Sequence, residues 1–293
     1  MAVDISRETN NVIFDPEVSN EIITKAIAES AIMQLAPKME IAGNGKKFQT
    51  IVGDPVPEWV GETEVKPVGK FDFGTKEVEP YKMALIVPFS DEFRRDKQAL
   101  YNECMNRLPK LFGPKFDATV MSTTAPGANF DVLGSVQAVS LTPTGDNTLY
   151  DQFVAVDGLI GDNDGIMNGI ALSPKGRSKV LAAKDGQGHP LFTAGIQSGT
   201  LNPILGADVS VKKGVYVAGA TPTLGLAGDF GNCAWGAVNS IQGAITDQAS
   251  IEYEVDGETK TLHLWQRNMF AVRFEIELAF MVRDANTFVR LTA

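Results

Sequence analysis

Phe270-Ala271-Val272-Arg273-Phe274-Glu275-Ile276-Glu277-Leu278-Ala279-Phe280-Met281-Val282 is the most regular stretch of the chain. Phe270, Val272, Phe274, Ile276, Leu278, Phe280 and Val282 recur at every second position, the repeat of a β-strand with one buried face. The strand would run about 13 residues, or roughly 43 Å at ~3.3 Å per residue, about twice the usual length. So long an apolar face has to be covered. The simplest cover is a helix over 91–111, where Phe93, Leu100, Cys104, Leu108 and Leu111 trace one helical stripe. Ser90 suits the cap of that helix, and Asp91 and Glu92 suit the positive end of its dipole. Pro109 and Gly113-Pro114 are expected to kink or break it, since proline removes a donor and clashes with the preceding turn.

Outward from this strand, residues 250–255 and 258–265 flank Asp256-Gly257, a strong hairpin signal. The region 125–245 is richer in Gly, Ala, Ser and Thr and carries shorter elements. A helix is predicted over 149–161, a buried strand over 169–172, and a helix capped by Ser173 with Pro174 in its first turn that stops near Lys184. Short strands are predicted over 209–211, 214–217 and 233–238. Near the N-terminus, residues 1–16 read as an extended tail and 17–36 as a helix ended by Pro37. This order gives an α+β fold in which residues 126–244 are inserted between 81–125 and 245–293.

Residues 46–96 hold a second decisive feature. Lys47-Phe48-Gln49-Thr50-Ile51-Val52 reads as a strand, and residues 80–87 as its return. A connection this long inside one domain is uncommon and is either functional or disordered. Trp59, Val60, Phe71 and Phe73 argue against disorder, because disordered linkers are poor in such residues. The segment therefore reads as a two-stranded arm that leaves its own domain and packs on something else. Its candidate contact residues are Glu58, Trp59, Glu62, Lys66, Lys70, Phe71 and Phe73. Arg94 and Arg95 form the compact basic group at the start of the following helix.

The remaining chemistry is sparse. A net charge of -10 opposes a nucleic-acid reader, which needs a basic face to neutralise phosphates. It does not exclude a surface that lies near nucleic acid without gripping it. Cys104 and Cys233 are too few for a disulfide framework, and both read as small core residues. His189 and His263 have no second ligand at metal-binding spacing. No Gly-x-Ser-x-Gly elbow or phosphate loop is present. Asp162-Asn163-Asp164-Gly165 lacks the acids of a calcium loop and reads as a helix-ending turn. Glu58, Glu62 and Glu64 sit on the exposed arm, where salt bridging between subunits is a better reading than acid–base catalysis. The sequence thus predicts no enzyme, no cofactor, no metal and no membrane span, and a chain that is mature from about Met1.

Several stretches in order resemble the major capsid proteins of tailed phages with the Hong Kong 97-like fold. They are Glu58-Trp59-Val60-Gly61-Glu62, Val87-Pro88-Phe89-Ser90-Asp91-Glu92-Phe93-Arg94-Arg95-Asp96, Leu172-Ser173-Pro174 with Leu181 and the turn from Lys184 to Phe192, Leu205-Gly206-Ala207-Asp208-Val209 with Gly228-Asp229-Phe230, and Gln266-Arg267-Asn268-Met269 leading the long strand. The resemblance implies an N-terminal arm (1–42), an extended loop (43–80), a peripheral domain (81–125 and 245–293) with a spine helix, and an axial domain (126–244). It further implies hexamers and pentamers in an icosahedral shell around phage double-stranded DNA. Further implied partners are a separate scaffolding protein, or a segment removed before Met1, together with a portal and a decoration protein. The same resemblance extends to encapsulin-like nanocompartment shells.

Overall fold

Met269–Val282 forms one 14-residue strand, starting a residue earlier than the alternation predicts. The computed structural model describes residue 24 and residues 26–293, apart from 54, 64, 144–147, 185–186, 193–200, 239–241 and 256; the predicted tail 1–16 and residues 17–23 and 25 lie outside these, and the described part of the predicted 17–36 helix is broken at Glu29-Ser30, before the separate helix Ala31–Leu35. Tyr81–Ser90 runs antiparallel along residues 269–278, with Val272 opposite Val87 and Leu278 opposite Tyr81. Gln242–Thr246 pairs with residues 271–275 along the other edge, and Cys233–Ala237 with residues 278–282. Lys38–Met39 adds a short parallel strand beyond Cys233–Ala237.

All seven alternating apolar residues are buried in one core, as period-two patterning requires. Their cover is the expected one only in part. Asp91–Asp96 and Gln98–Arg107 are separate helices, broken at Lys97 (φ -128°, ψ 45°), and neither contains a buried residue. Leu100 and Leu111, expected on the buried stripe, are about half exposed. The cover is shared: Leu108 is buried in the core, Tyr101 and Met105 pack against it with Tyr101 5.9 Å from Phe270, and the next helix, Phe112–Val120, buries Phe112, Phe116 and Val120. Phe116 stands edge-on to Phe280 at 5.9 Å. Pro109 does interrupt the helix, in the 3-10 turn Leu108–Leu111. Gly113-Pro114 does not. Both lie in the first turn of Phe112–Val120, where the N–H that proline lacks has no intrahelical partner to lose. Gly113 is needed for close approach, because a Cβ there would lie 2.4 Å from Ala26 O.

The second five-stranded sheet has the order Ala138–Ser140, Phe288–Thr292, Thr223–Gly228, Gly169–Leu172, Asp208–Val211. The helix Leu149–Gly161 packs on it through Phe153, Val156 and Ile160. Pro174–Leu181 follows the predicted Ser173 cap but ends three residues before the predicted Lys184. Sequence order alone groups the final strand, Phe288–Thr292, with the long-strand sheet. It pairs instead with Thr223–Gly228 and Ala138–Ser140, so the chain ends in the sheet of the inserted region. Residues 213–215 form a 3-10 turn rather than the start of a strand. There Gly214 is pressed against Pro114 and Asp117, where a Cβ would come within 2.5 Å of Pro114 O.

Ser30 and Asp117 join the N-terminal segment to this body. Ser30 caps the helix Ala31–Leu35 by accepting from Met33 N–H, and its hydroxyl donates to Asp117 Oδ1 at 2.5 Å. Ala31 N–H donates to Asp117 Oδ2 at 2.8 Å and Ile32 N–H to Oδ1 at 3.3 Å. A carboxylate at a helix N-terminus satisfies donors that the helix itself cannot.

Candidate assembly surface

The arm is a ribbon of Lys46–Gly53 and Asp72–Val78, antiparallel with Lys46 opposite Val78 and Ile51 opposite Phe73. Its return leg is therefore 72–78, not 80–87. Residues 81–90 have the stronger apolar alternation because they belong to the body sheet. The ribbon's root is pinned. Val78 is buried with Ile41, Ala279 and Met281, and Phe48, Met39, Ala234 and Val238 pack around them. Ala279 and Met281 alternate with Leu278 and Phe280 and so lie on the other face of the long strand, where the arm root covers what the main core leaves bare. Lys47 and Glu77, opposite one another in register, form an ion pair across the legs. The Glu77 carboxylate beside it raises the Lys47 ammonium above its ordinary value.

Beyond the root, the described residues of 55–71 contain no strand. Pro55 and Gly69 pinch the two legs together, since a Cβ on Gly69 would lie 2.3 Å from Pro55 Cβ. The tip beyond this pinch is open to solvent. Trp59 is fully exposed, and Val56, Val65 and Val68 are 80 %, 94 % and 98 % exposed. Glu58, Glu62, Lys66 and Lys70 are exposed around them, and Phe71 is half exposed. Phe73 lies on the return leg; its side chain is outside what the structure describes. So many large apolar side chains left in water along one segment point to an interaction site. Covering ~200 Å² of a tryptophan at about 25 cal/mol per Å² is worth on the order of 5 kcal/mol, before the cost of ordering the partners. Trp59 and Phe71 stand out in the sequence as aromatics. Val56, Val65 and Val68 do not, because they stand singly between charged and turn residues and make no periodic pattern.

Arg94 and Arg95 are not part of this tip. Tyr81–Ser90 is a ten-residue strand, which separates them from the arm root by roughly 30 Å at ~3.3 Å per residue. Arg94 pairs with Asp91 at 3.1 Å and lies over the Phe270 ring at 4.6 Å. Arg95 pairs with its neighbour Asp96 at 2.7 Å. Both are exposed on a short helix, as a solvated or contact face would be.

Among the described residues no group of three or more His, Cys, Asp or Glu side chains could hold a metal ion, and no helix is long and apolar enough to cross a membrane. His263 shares a hydrogen bond with Ser250 Oγ, 2.7 Å away, across the exposed hairpin Ser250–Val255 and Glu258–His263. Asp162 closes its helix, and Asp164 (φ 56°) turns the chain away, as the turn reading of that acidic stretch expects.

The profile of the phage capsid family matches residues 10–293. The chain belongs to the phage capsid family. Two relatives are similar along nearly their whole length. The "Probable major capsid protein gp17" of Mycobacterium phage D29 is 31 % identical over 285 residues, covering 95 % of this chain and 89 % of that one. The protein of the same name from Mycobacterium phage L5 is 30 % identical over 290 residues, covering 95 % and 88 %. A solved chain from Mycobacterium phage Adephagia superposes with a TM-score of 0.73 at 17 % identity, covering 90 % and 89 %. The α+β architecture is thus the Hong Kong 97-like fold. Of the two kinds of shell left open by the sequence, the phage capsid is the one its relatives form, and this family member is a structural protein of the virion.

Proposed function

We propose that this phage capsid family member closes into an icosahedral shell of hexamers and pentamers around double-stranded DNA, and that each arm tip seats on a neighbouring copy. The observation that carries this reading is the fully exposed Trp59 with Val65 and Val68, held out on a ribbon whose root is buried. Those side chains gain nothing within their own subunit. A repeated, head-to-tail contact of this kind closes into rings when its rotation allows. Glu58, Glu62, Lys66 and Lys70 would set the register of the contact by charge, while Arg94 and Arg95 would meet a separate neighbour near the spine helices. The acidic chain, at -10 overall, suits a container that holds a polyanion without binding it tightly.

In this reading residues 1–42 form the N-terminal arm, 43–80 the extended loop, 81–125 with 245–287 the peripheral domain, and 126–244, joined by the terminal strand Phe288–Thr292, the axial domain. The chain does no catalysis and needs no cofactor. It assembles in the host cytoplasm with a separate scaffolding protein, a portal and a decoration protein. The test is sedimentation and electron microscopy of the full chain produced with its genomic neighbours. Closed particles that protect DNA from nuclease are expected. A stable monomer or dimer under all those conditions would refute the proposal.

A further inference from the structure

Phe130 and Asp131 are adjacent in the loop between Phe112–Val120 and Ala138–Ser140, and they do different things. Phe130 is buried, with its ring 6.2 Å from Phe116 and 6.1 Å from both Phe280 and Tyr81. That anchor holds the next residue at the C-terminal end of the long strand. Asp131 N–H donates to Phe280 O at 3.3 Å, and Val282 N–H donates to Asp131 Oδ2 at 2.6 Å. The arm's return leg reaches the same point. Lys76 Nζ lies 2.6 Å from Asp131 Oδ2 and donates to Val282 O at 2.5 Å. Three residues on, Glu79 N–H donates to Asn129 O at 3.4 Å.

The arm root is thus held in two ways. The seam of Val78, Phe48, Ile41 and Met281 is apolar, and apolar contact has little directionality. The bonds at Lys76 are charge-assisted and oriented, and both partners are two-thirds buried, with 34 % and 30 % of their side chains exposed. We infer that the Lys76–Asp131–Val282 junction sets the direction in which the arm leaves the body, so that Lys76 and Asp131 are positioning residues for shell assembly. This rests on the reading that the arm tip seats on a neighbouring copy. A tilt of ~10° at the root moves a point ~20 Å further out, about six strand residues, by roughly 3–4 Å, enough to lose an apolar contact. Without the junction the arm still emerges from its seam, but over a range of angles, and the shells it builds vary in curvature.

The direct test measures the arm's direction within one subunit. Spin labels go on Glu62→Cys in the tip and Lys260→Cys in the exposed hairpin, in a Cys104→Ser, Cys233→Ala background, diluted into unlabelled chain. Pulsed dipolar spectroscopy should give one narrow distance distribution for the parent. Lys76→Met and Asp131→Asn should each broaden it at least two-fold and widen the spread of shell diameters, and Lys76→Arg should restore both. Should Lys76→Met fail to fold, Asp131→Asn, which keeps an acceptor for Val282 N–H, carries the same test. Unchanged widths in folded variants overturn the inference. Trp59→Ser separates it from the reading beneath it. If Trp59→Ser abolishes shells while the Lys76 and Asp131 variants leave the distribution narrow, the junction's role fails and the arm's role stands. If Trp59→Ser assembles normally, the arm's role fails too.

Discussion

Asp117 is fully buried, and its carboxylate ties Ser30, Ala31 and Ile32 to the helix that covers the long strand. Burial pushes it up from 3.8 to about 6, against the pull of the Ser30 hydroxyl, the Ala31 and Ile32 N–H groups and Lys212. A folded-state value above the unfolded one means that this group's contribution to stability is fully present below about 3.8. It is lost as the pH rises through about 6. Melting curves of the wild type and Asp117→Asn should therefore diverge in favour of the wild type as the pH falls from about 7 to about 4; a difference that does not vary with pH contradicts this. Asp117→Ala strands a hydroxyl and two backbone N–H groups and should cost about 2–4 kcal/mol in denaturant unfolding. The thiols differ as sharply. Cys233 is buried and pushed up to about 12 by that burial and by Asp229. Cys104, expected in the core, is partly exposed on a helix with no buried residues. A disulfide reagent near neutral pH should modify Cys104 in the native subunit and Cys233 only after unfolding. Nothing in the local sequence marks Asp117, because the three residues it binds at the N-terminal helix lie 85 to 87 positions away along the chain.

At the scale of elements, legibility follows burial. The long strand, the helix Leu149–Gly161, the capped start at Ser173 and the Asp256-Gly257 hairpin all announce themselves, because one face of each is apolar or their turn chemistry is specific. The return leg Asp72–Val78 does not. It is a ribbon strand with Lys76 and Glu77 beside Gly74 and Thr75, so no alternation separates it from a loop. The more apolar Tyr81–Ser90 outcompetes it as a candidate. The terminal strand Phe288–Thr292 is equally illegible, since five residues carry no record of which sheet they join. The cover of the long strand is ambiguous in the sequence for a related reason: apolar residues follow one another on either side of Pro109, and only packing decides how much each side contributes. Phe112, Phe116 and Val120 supply the fully buried share, with Phe116 against Phe280, while Tyr101 and Met105 pack at the margin of the same core. Phe280→Ala should consequently cost about 3–5 kcal/mol, whereas Leu100→Ala, on the exposed helix, should change subunit stability by less than about 1 kcal/mol. Chemical denaturation of the two variants checks both values.

For the whole molecule, buried area is concentrated in two sheets and their helices, while the arm tip gathers apolar side chains that its own subunit leaves uncovered. The arm is legible through its length and its aromatics, and the fold through the order of its motifs. The fixed root is not, since the Ile41–Val78–Met281 seam and the Lys76 junction join residues from distant parts of the chain. Everything proposed for assembly depends on residues 55–71 serving neighbours and not their own fold. Replacing them with a short Gly/Ser turn between Gly53 and Asp72, which are paired in the ribbon, separates those two roles. Melting and sedimentation velocity of that variant beside the wild type should show a subunit that melts within about 2 °C of the parent yet forms no closed shells. Shells at wild-type yield, or a subunit that no longer folds, would show that the arm is not an assembly device.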